Sequence, residues 1–553
     1  MDKLIFNQLK FHKDSLGEIN NEYLKNYPII YILYGQGKLQ AYIGETTSVV
    51  NRMNNHLNNP KRRKAEMTEM ILIGHEKFNQ SATYNLETNL ISAFIADQKY
   101  QIQNVSQTRR QAMHNYYEKQ YYHKEVFEKV WKTLKDNKVV NHELKDLENK
   151  DIFKLSPYQS LSSEQYEIKE KIINYCKKHI NDVDRKHIYA IKGDAGTGKS
   201  VVLMSIFNTI QDLAHDDSSA LKNTNNFLLV QHAEMIKTYK SIASSLPNIK
   251  KKNILKPTEF INKKAQADVV FVDEAHLLLT QPDKYNNFKQ DNQLTEIVKL
   301  AKVVVCIFDA NQVLRTQSYW NEAQFEAIIS QIPNVDHTMM ELTTQFRMNN
   351  AVSVSQWIEA FVKKKQILPF PDLSKTDYDF RIFDSPEKFK RAIEERNKQY
   401  NLSRIVATFD YEHKKNGDSY LVDLGGIPMP WNSTNDKRTW AEIPETIHEV
   451  GSIYTVQGFD LNYVGVILGP SLDYDITTNQ LVVNIEQNKD TGGKRKRRDV
   501  DNQLLHQEML EKQILNAVNV LMTRGVKGLY LYPANDSLRQ KLLSIQANGH
   551  QNH

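Results

Sequence analysis

The chain has 553 residues, too many for one hydrophobic core, so we expect about three domains. It is 40% hydrophobic and 25% charged, and no apolar run approaches the ~20 residues that span a bilayer, which excludes a membrane-spanning protein. The first 150 residues contain 22 Lys and Arg against 17 Asp and Glu, within a formal net charge of +6. That excess is compatible with a nucleic-acid partner. The N-terminus lacks a signal-peptide pattern, and Cys176 and Cys306 cannot make a disulfide framework or a zinc site between them, so we expect a cytoplasmic protein.

The first 110 residues are predicted to form a small domain of mixed strands and helices. The runs IIYILY and AYIG favour the strands of a hairpin, with Gly35 and Gly37 in the turn. The segments SVVNRMNNHL and LETNLISAFIAD favour helices, the second with apolar residues three and four positions apart. Residues 111–155 are rich in tyrosine and lysine and are predicted to form a helical connector.

From residue 156 the pattern changes to helices that alternate with short, continuous apolar runs. The runs are IYAIKG, NFLLVQ, DVVFVDE, KVVVCIFDA, RIVATF, YVGVILG and GLYLYP. Strands that are apolar on both faces are typical of parallel sheets covered by helices. We therefore expect two α/β domains, over 156–345 and 346–540, and a disordered tail over 541–553. A basic run, Lys494–Arg498, is predicted to lie in an inserted disordered loop that contacts phosphates, acts as a nuclear localisation signal or is simply solvated.

The segment GDAGTGKS lies between the strand IYAIK and the helix SVVLMSIF and matches the phosphate-binding pattern G-x-x-x-x-G-K-[ST]. Its backbone N–H groups are expected to surround phosphate oxygens at a helix N-terminus, whose dipole favours anions. Within it, the lysine is expected to reach the β- and γ-phosphates of ATP and the serine to hold Mg²⁺. The predicted cofactor-binding residues here are Gly193, Asp194, Ala195, Gly196, Thr197, Gly198, Lys199 and Ser200.

Acidic residues follow the apolar run DVVFV, where a strand of the same sheet is expected to end beside the phosphate loop. Asp273 can hold the metal through water, and Glu274 can orient or deprotonate the water that attacks the γ-phosphate. The next strand, KVVVCIFDANQ, is expected to deliver Asp309 and Gln312 to the same edge, where a γ-phosphate sensor would lie.

Six segments in order resemble the motifs of superfamily 1 helicases, and most of all the Schlafen-type P-loop helicase domain found in bacterial proteins. They are GDAGTGKS, VDEAH, FDANQ, TTQFRMN, SIYTVQGFDLNYVGVILG and VLMTRG. The resemblance covers about residues 156–535 and implies two RecA-like domains with ATP bound between them.

The same resemblance assigns further residues to ATP: Gln165 for adenine, Arg347 and Arg524 for the phosphates, and Gln457 and Gly458 for coupling to nucleic acid. Each arginine taken alone is equally explained as an ordinary surface residue. For Gln165 a second interpretation stays open, because Ser162 or Ser163 as the N-cap of a helix explains LSSEQ equally well.

The N-terminal segments IIY and YIGETTSVVNRMNNH resemble the GIY-YIG nucleases over about residues 26–110, with isoleucine in place of the first glycine. The resemblance implies a catalytic set of Tyr31, Tyr42, Arg52, His56 and Glu87, with Glu87 as the metal ligand. Arg52 and His56 are four residues apart on one helix, so both can face one phosphate. Either tyrosine could polarise the attacking water if nearby cations lower its pKa. Taken singly, strand tyrosines and a solvent-facing Arg/His pair are the simpler interpretation.

Three weaker features belong to the same segment. Gly44 is expected to let substrate approach the backbone. Asn104 resembles the late asparagine of the nuclease family. The run Lys61-Arg62-Arg63-Lys64 is interpreted as a solvated basic turn.

The sequence therefore predicts an ATP-driven motor tethered to a metal-dependent endonuclease, with ATP and Mg²⁺ (or Mn²⁺) as cofactors and nucleic acid, DNA rather than RNA, as partner. A homo-oligomer or a defence protein is the expected protein partner. By analogy, anti-phage defence or restriction in bacteria is the expected role. The alternatives are an ATP-gated nuclease that never translocates, and a DNA repair helicase whose nuclease-like domain only binds.

Overall fold

The structure is a computed structural model that describes residues 4–60, 62, 65–105, 116–193, 196–284, 287–309, 322–342, 351–413, 418–431, 439–491, 493–494 and 502–551. Predictions made for Asp194, Ala195, Gln312, Arg347 and the basic run after Lys494 lie outside these residues.

The N-terminal sheet has the strand order β1-β4-β2-β3-β5, antiparallel except for the parallel pair β3 and β5. Its strands are β1 (Ile5–Lys10), β2 (Ile29–Gly35), β3 (Gln40–Thr46), β4 (Glu69–Gly74) and β5 (Gln101–Ile102). Its helices are α1 (Glu22–Lys25), α2 (Val49–Asn58) and α3 (Gln80–Asp97). All seven residues of β2 are buried, because both faces of the sheet are covered. Tyr31 and Leu33 pack with α2 on one face, while Ile30 and Ile32 pack with α3 on the other.

The predicted connector forms short helices that pack on α3. They are α4 (Lys119–Tyr121), a π-helical turn (Tyr122–Val126), α5 (Phe127–Asp136), α6 (Leu144–Glu148) and α7 (Asp151–Lys154). The Trp131 ring meets Phe94 of α3 edge-on, with centroids 5.6 Å apart, and its indole N–H donates to the His142 carbonyl at 3.0 Å. Asp97, at the end of α3, accepts the His142 backbone N–H at 2.8 Å. The connector is therefore a layer of packed structure.

The first large sheet is entirely parallel among the described strands, in the order β11-β6-β10-β9-β7-β8. Its strands are β6 (Lys186–Gly193), β7 (Asn226–Val230), β8 (Ile254–Leu255), β9 (Ala267–Asp273), β10 (Ala301–Phe308) and β11 (Val335–Leu342). Its helices are α8 (Ser163–His179), α9 (Lys199–Ala214), α10 (Ala233–Ser244), α11 (Pro257–Asn262), α12 (Gln293–Leu300) and α13 (Glu322–Ser330).

The second large sheet is also parallel, in the order β12-β20-β17-β13-β16. These strands are β12 (Asp379–Ile382), β13 (Ser403–Ala407), β16 (Val450–Gly451), β17 (Leu461–Leu468) and β20 (Gly525–Pro533). Two hairpins, β14 (Leu421–Leu424) with β15 (Ile427–Pro430) and β18 (Leu472–Asp475) with β19 (Gln480–Val483), are appended. The helices are α14 (Val352–Lys363), α15 (Pro386–Tyr400), α16 (Ile453–Val456), α17 (Gln503–Met522) and α18 (Asp536–Gln551). The predicted fold class, a small mixed α/β domain followed by two parallel-sheet domains, is confirmed.

The disordered tail predicted over 541–553 is wrong for 541–551, which continue α18. Leu538 and Leu542, four residues apart, are fully buried on one face of this helix. The Gln546 side chain accepts the Ile382 backbone N–H at 2.7 Å and donates to the Ile382 carbonyl at 3.1 Å. These contacts hold the helix along the edge strand β12.

One apolar core runs without a break from the N-terminal sheet through the connector into the first parallel sheet. It includes Ile32, Trp131, Tyr158, Phe207 and Val269. The second parallel sheet has separate cores on its two faces. Among the described helices, none combines the length and apolarity needed to cross a membrane.

Candidate active sites

The hairpin of β2 and β3 brings two tyrosines together. Tyr31 pairs with Gly44 across the strands, and the Tyr31 and Tyr42 rings stack with centroids 6.1 Å apart. A Cβ atom at position 44 would lie 2.3 Å from the Tyr31 ring and hydroxyl. Gly44 is therefore required by the Tyr31 side chain, and the space that the sequence assigned to substrate is filled by the chain itself.

Helix α2 adds an arginine and a histidine to the same cluster. Arg52 Nε donates to the Tyr31 hydroxyl at 2.8 Å, and Arg52 Nη2 donates to the Tyr42 hydroxyl at 3.3 Å. The Tyr31 hydroxyl also lies 2.9 Å from His56 Nε2. Four of the residues that the resemblance to the nucleases implied are thus joined by one set of hydrogen bonds.

Burial decides the protonation of this cluster. Burial, followed by the charges of Arg52 and Arg62, lowers the pKa of His56 to about 3, so its imidazole is neutral near pH 7. A neutral imidazole can accept the Tyr31 proton at Nε2. Burial also raises the pKa of Tyr31 well above its ordinary value, against the opposing effect of Arg52. Tyr31 is fully buried, so the interpretation in which it polarises the attacking water does not fit, whereas Tyr42 is partly exposed.

Arg62 is a member of this site that the sequence interpretation missed. Its guanidinium lies over the Tyr42 ring, 3.7 Å from the centroid, and burial lowers its pKa. The run Lys61-Arg62-Arg63-Lys64 was interpreted as a solvated turn. Nothing in the sequence showed that one of these four basic residues folds back onto a strand. Arg62 adds a second positive charge beside Tyr42.

Two further predicted residues border the cluster. Glu87 of α3 is buried, and its charge adds a lesser contribution to the raised pKa of Tyr31, after burial and Tyr42. A single buried carboxylate, completed by water and phosphate oxygens, fits the ligand set of Mg²⁺. The Asn104 side chain donates to the Ile43 carbonyl at 2.7 Å and accepts the Ile43 N–H at 3.1 Å, which fastens β3 beside the site.

The phosphate loop joins β6 to α9, as the sequence predicted. Gly196 and Gly198 have φ angles of 86° and 74°, the left-handed region that glycine adopts without strain. Lys199 Nζ donates to the Gly193 carbonyl at 2.7 Å and lies 3.1 Å from Asp309 Oδ2. The lysine is therefore held in the mouth of the loop by an ion pair.

The predicted metal ligands meet at the ends of β9 and α9. The Ser200 hydroxyl donates to Asp273 Oδ1 at 3.3 Å, and the Tyr239 hydroxyl donates to Asp273 Oδ2 at 2.6 Å. Burial, with the nearby charge of Glu274, raises the pKa of Asp273 above its ordinary value. A hydroxyl and a carboxylate at this distance fit Mg²⁺ with a bound nucleotide phosphate. Tyr239 was not predicted, since a lone tyrosine in a helix carries no signal.

Glu274 contacts His276, and the charge of Arg524 from the second domain also acts on its carboxylate. Burial acts to raise the pKa of Glu274, but the His276 imidazole, 2.8 Å away, outweighs it and the pKa is lowered, with Lys199 and Arg524 as smaller contributions. The Asp309 backbone N–H donates to His276 Nδ1 at 3.3 Å, which orients the ring. Arg524 is almost fully buried and donates from Nη1 to the Phe459 carbonyl at 3.3 Å.

Gln165 uses its side chain in two ways. Its Oε1 accepts the Ser162 N–H at 3.0 Å in a capping box at the start of α8, and its Nε2 donates to the Thr197 carbonyl of the phosphate loop at 3.0 Å. The helix-cap interpretation is confirmed. The adenine role stays a prediction.

Gln457 and Gly458 lie where the second domain meets the first. Gly458 has a φ angle of +87°, and a Cβ there would lie 3.1 Å from Met235 Sδ of α10. Beside it, His232 Nε2 lies 3.1 Å from the Tyr454 carbonyl. Gln457 is buried next to this contact.

The matches to known proteins agree with these two sites. Residues 186–535 match the model of the Schlafen group 3, DNA/RNA helicase domain, and residues 27–101 match the GIY-YIG catalytic domain. "Uncharacterized protein YPL245W" of Saccharomyces cerevisiae is 37% identical over 414 residues, which cover 69% of this chain and 90% of that protein.

Two solved structures share only a distant likeness. A variant of S. cerevisiae Dbp5, bound to a variant of Gle1 and to IP6, is 11% identical and covers 70% of this chain and 90% of its own, with a TM-score of 0.27. Mss116p bound to ssRNA and AMP-PNP is 10% identical and covers 70% of this chain and 67% of its own, with a TM-score of 0.25. The chain is an enzyme that belongs to the family of the Schlafen group 3 DNA/RNA helicase domain and carries a GIY-YIG catalytic domain ahead of it.

Proposed function

We propose that this enzyme moves along nucleic acid as an ATP-driven motor, that its N-terminal site cleaves DNA, and that ATP binding and hydrolysis in the motor domains control the cleavage. The observation that carries the proposal is the hydrogen-bonded cluster of Tyr31, Tyr42, Arg52 and His56. Mg²⁺, or Mn²⁺ in its place, is the expected metal at both sites.

At the nuclease site we assign Arg52 to the scissile phosphate. Its guanidinium is fixed by two tyrosine hydroxyls, so it can neutralise charge on a phosphate oxygen without a large loss of side-chain entropy. Tyr42 is partly exposed and can orient the attacking water. Tyr31 positions Arg52 and His56 from within the core. A metal ion on Glu87 would add positive charge next to the phosphate.

At the motor site we assign Lys199 to the β- and γ-phosphates. Its ion pair with Asp309 holds the ammonium ready, and a triphosphate would replace that carboxylate as its partner. The lowered pKa of Glu274 keeps it ionised, as a group that receives a proton from water must be. Arg524 adds positive charge to the same cleft from the second domain, and we assign it to the transferred phosphoryl group.

A series of buried contacts connects the two sites. The Asn104 side chain holds Ile43 in the YIG strand, and the Asn104 carbonyl accepts the Tyr158 hydroxyl at 3.1 Å. Burial raises the pKa of Tyr158, and the side chain of Asn208 on α9, the helix that begins at Lys199, opposes this shift. This path supports control of cleavage through the phosphate loop.

Helix α10 supports the same control from its two ends. At its C-terminal end, Gln98 Nε2 donates a hydrogen bond to the Ser241 hydroxyl at 2.6 Å. The Ile102 N–H donates to the Ser245 carbonyl at 2.9 Å. Its N-terminal end contacts the second motor domain next to Gly458. Closure of the two motor domains would therefore act on a helix that also holds the nuclease domain.

The test is a cleavage assay on single-stranded, double-stranded and forked DNA and RNA, with ATP, a non-hydrolysable analogue or no nucleotide. We expect DNA to be cut in the presence of Mg²⁺, and the rate to depend on the nucleotide. Arg52→Ala and Glu87→Gln should abolish cleavage and leave ATP hydrolysis intact, whereas Lys199→Ala should abolish hydrolysis. Equal survival of DNA with wild type and with Arg52→Ala under every condition would overturn the nuclease proposal.

A second candidate function, an ATP-gated nuclease that does not translocate, is favoured by the shared core of the nuclease and first motor domains. Strand displacement at saturating ATP separates the two functions. ATP hydrolysis without strand displacement or translocation supports the ATP-gated nuclease.

For the biological role we propose defence of bacteria against invading DNA. Phage plating on a bacterial host that expresses wild type or Arg52→Ala tests it: protection lost in the variant supports defence, and equal plating contradicts it. Because one site cuts one strand, a double-strand break requires two copies or two events.

A further inference from the structure

Two histidines and an aspartate meet at the end of the first parallel sheet that lies away from the ATP site. Helix α8 ends at His179, a short loop carries Asp182, and β6 brings in His187 near its first residue. The P-loop begins at the other end of β6, six residues later, so the cluster lies roughly 20 Å from Gly193. Neither proposed active site uses these residues.

The three side chains have the spacing of ligands around one ion. Each offers one ligand atom, and the three atoms lie within 4.8 Å of one another. His187 Nε2 and Asp182 Oδ2 are 2.9 Å apart, and the two imidazole rings have centroids 4.0 Å apart. Ligands bonded at the lengths usual for zinc lie about 3–3.5 Å from one another. His179 is partly exposed, and its ring is the one that would turn toward the other two when an ion binds.

The surroundings hold these groups in position. Asp182 Oδ1 accepts the backbone N–H groups of Asp184 at 3.0 Å and Arg185 at 3.2 Å, which leaves Oδ2 directed at His187. His187 is 1% exposed, and its Nδ1 has no hydrogen-bond partner within the part of the chain that the structure describes. The Tyr175 ring packs on His179 with centroids 4.5 Å apart. The backbone N–H groups that hold Asp182 are support of the kind that accompanies metal ligands.

The types of side chain in the cluster favour zinc. Two imidazoles and one carboxylate are the ligands of zinc and its neighbours, whereas Mg²⁺ and Ca²⁺ prefer oxygen ligands.

We propose that His179, Asp182 and His187 bind one zinc ion that fastens the C-terminal end of α8 to the start of β6. Water completes the four-coordinate set. The ion serves a structural purpose: α8 carries Gln165 at its other end, against the phosphate loop, so the site fixes the helix from the far side of the sheet.

The test compares zinc binding by the chelator-treated full chain and by matched variants. His179→Gln removes one partly exposed ligand, and Asp182→Asn keeps the size of the second. His337→Gln is the control, because His337 pairs with Glu326 at 2.9 Å near the same edge of the sheet but is not in the cluster. Zinc bound at the two active sites is common to all four proteins and cancels in the comparison.

We expect wild type and His337→Gln to bind one more equivalent of zinc than His179→Gln and Asp182→Asn. At a hundredfold excess over Kd, zinc should raise the melting temperature of wild type by about 5 °C more than that of His179→Gln. Co²⁺ should give a visible band of four-coordinate geometry in wild type that His179→Gln lacks. Identical zinc stoichiometry and affinity in wild type, His179→Gln and Asp182→Asn would overturn the proposal, and would leave the nuclease and motor proposals untouched.

Discussion

The His56 imidazole should stay neutral far below the pH at which histidine ordinarily gains a proton. The ring is 6% exposed, and the guanidinium groups of Arg52 and Arg62 lie close to it. Burial first, and then these two positive charges, lowers its pKa from 6.5 to about 3. A proton on His56 would also break the hydrogen bond in which Nε2 accepts from Tyr31.

The lowered pKa of His56 makes the stability of the native state depend on pH. The unfolded chain binds a proton at His56 below about pH 6.5, whereas the folded chain binds it only below about pH 3. The native state therefore loses stability as the pH falls through this interval, and keeps it in full above about pH 7. At about pH 5 the two pKa values give a loss of about 2 kcal/mol from this one group.

Backbone amide hydrogen exchange of α2 and β2 measures this loss locally, without assuming that a multidomain chain unfolds in one step. Between about pH 7.5 and pH 5, the opening free energy of these amides should fall by about 2 kcal/mol more in wild type than in His56→Gln, whose amide does not titrate. Arg62→Gln removes one of the charges and should reduce the difference. A His56 resonance that titrates with a midpoint near 6.5, or an equal pH dependence in His56→Gln, would refute the reasoning.

Three further outcomes are expected. Gly44→Ala should slow cleavage about 100-fold, because its Cβ would displace the buried Tyr31 ring, whereas Gly37→Ala in the same hairpin should cut at nearly the wild-type rate. Tyr158→Phe should reduce the effect of ATP on cleavage about tenfold and leave ATP hydrolysis unchanged, as paired cleavage and phosphate-release assays would reveal. Glu274→Gln should slow phosphate release by about 10²–10⁴-fold while nucleotide binding, measured by titration, persists.

Much of the fold was readable because its signals are local. A short continuous run of mostly β-branched residues such as VVFV favours an inner strand, which then carries the acidic pair after it to the edge of the sheet. The spacing of Arg52 and His56 on one helix likewise needs no knowledge of the rest of the chain. In both cases the residues that lie close together in the structure are also close in the sequence, so a local pattern is enough to predict their positions.

The parts that the sequence did not reveal depend on contacts between distant segments. Arg62 reaches Tyr42 only because the chain after α2 folds back over β3, and Tyr239 reaches Asp273 from a helix 34 residues earlier in the chain. The tail was misjudged because its apolar residues are few, and what orders it is the groove beside β12, which the sequence of the tail does not contain. Polar composition alone cannot distinguish a free end from one that docks.

The continuous core determines which parts of the molecule can move. Since Ile32 of the nuclease sheet and Val269 of the first motor sheet belong to one apolar cluster, separating them would expose that cluster to water. The second motor domain has its own cores, adds the Phe459 side chain to the shared cluster, and also meets the first domain through smaller contacts such as Gly458 with Met235. A cycle of ATP binding and release should therefore swing the second domain against a rigid body that contains the nuclease. Nucleic acid that is held by the moving domain would be drawn past, or released from, a cleavage site that stays fixed to the phosphate loop.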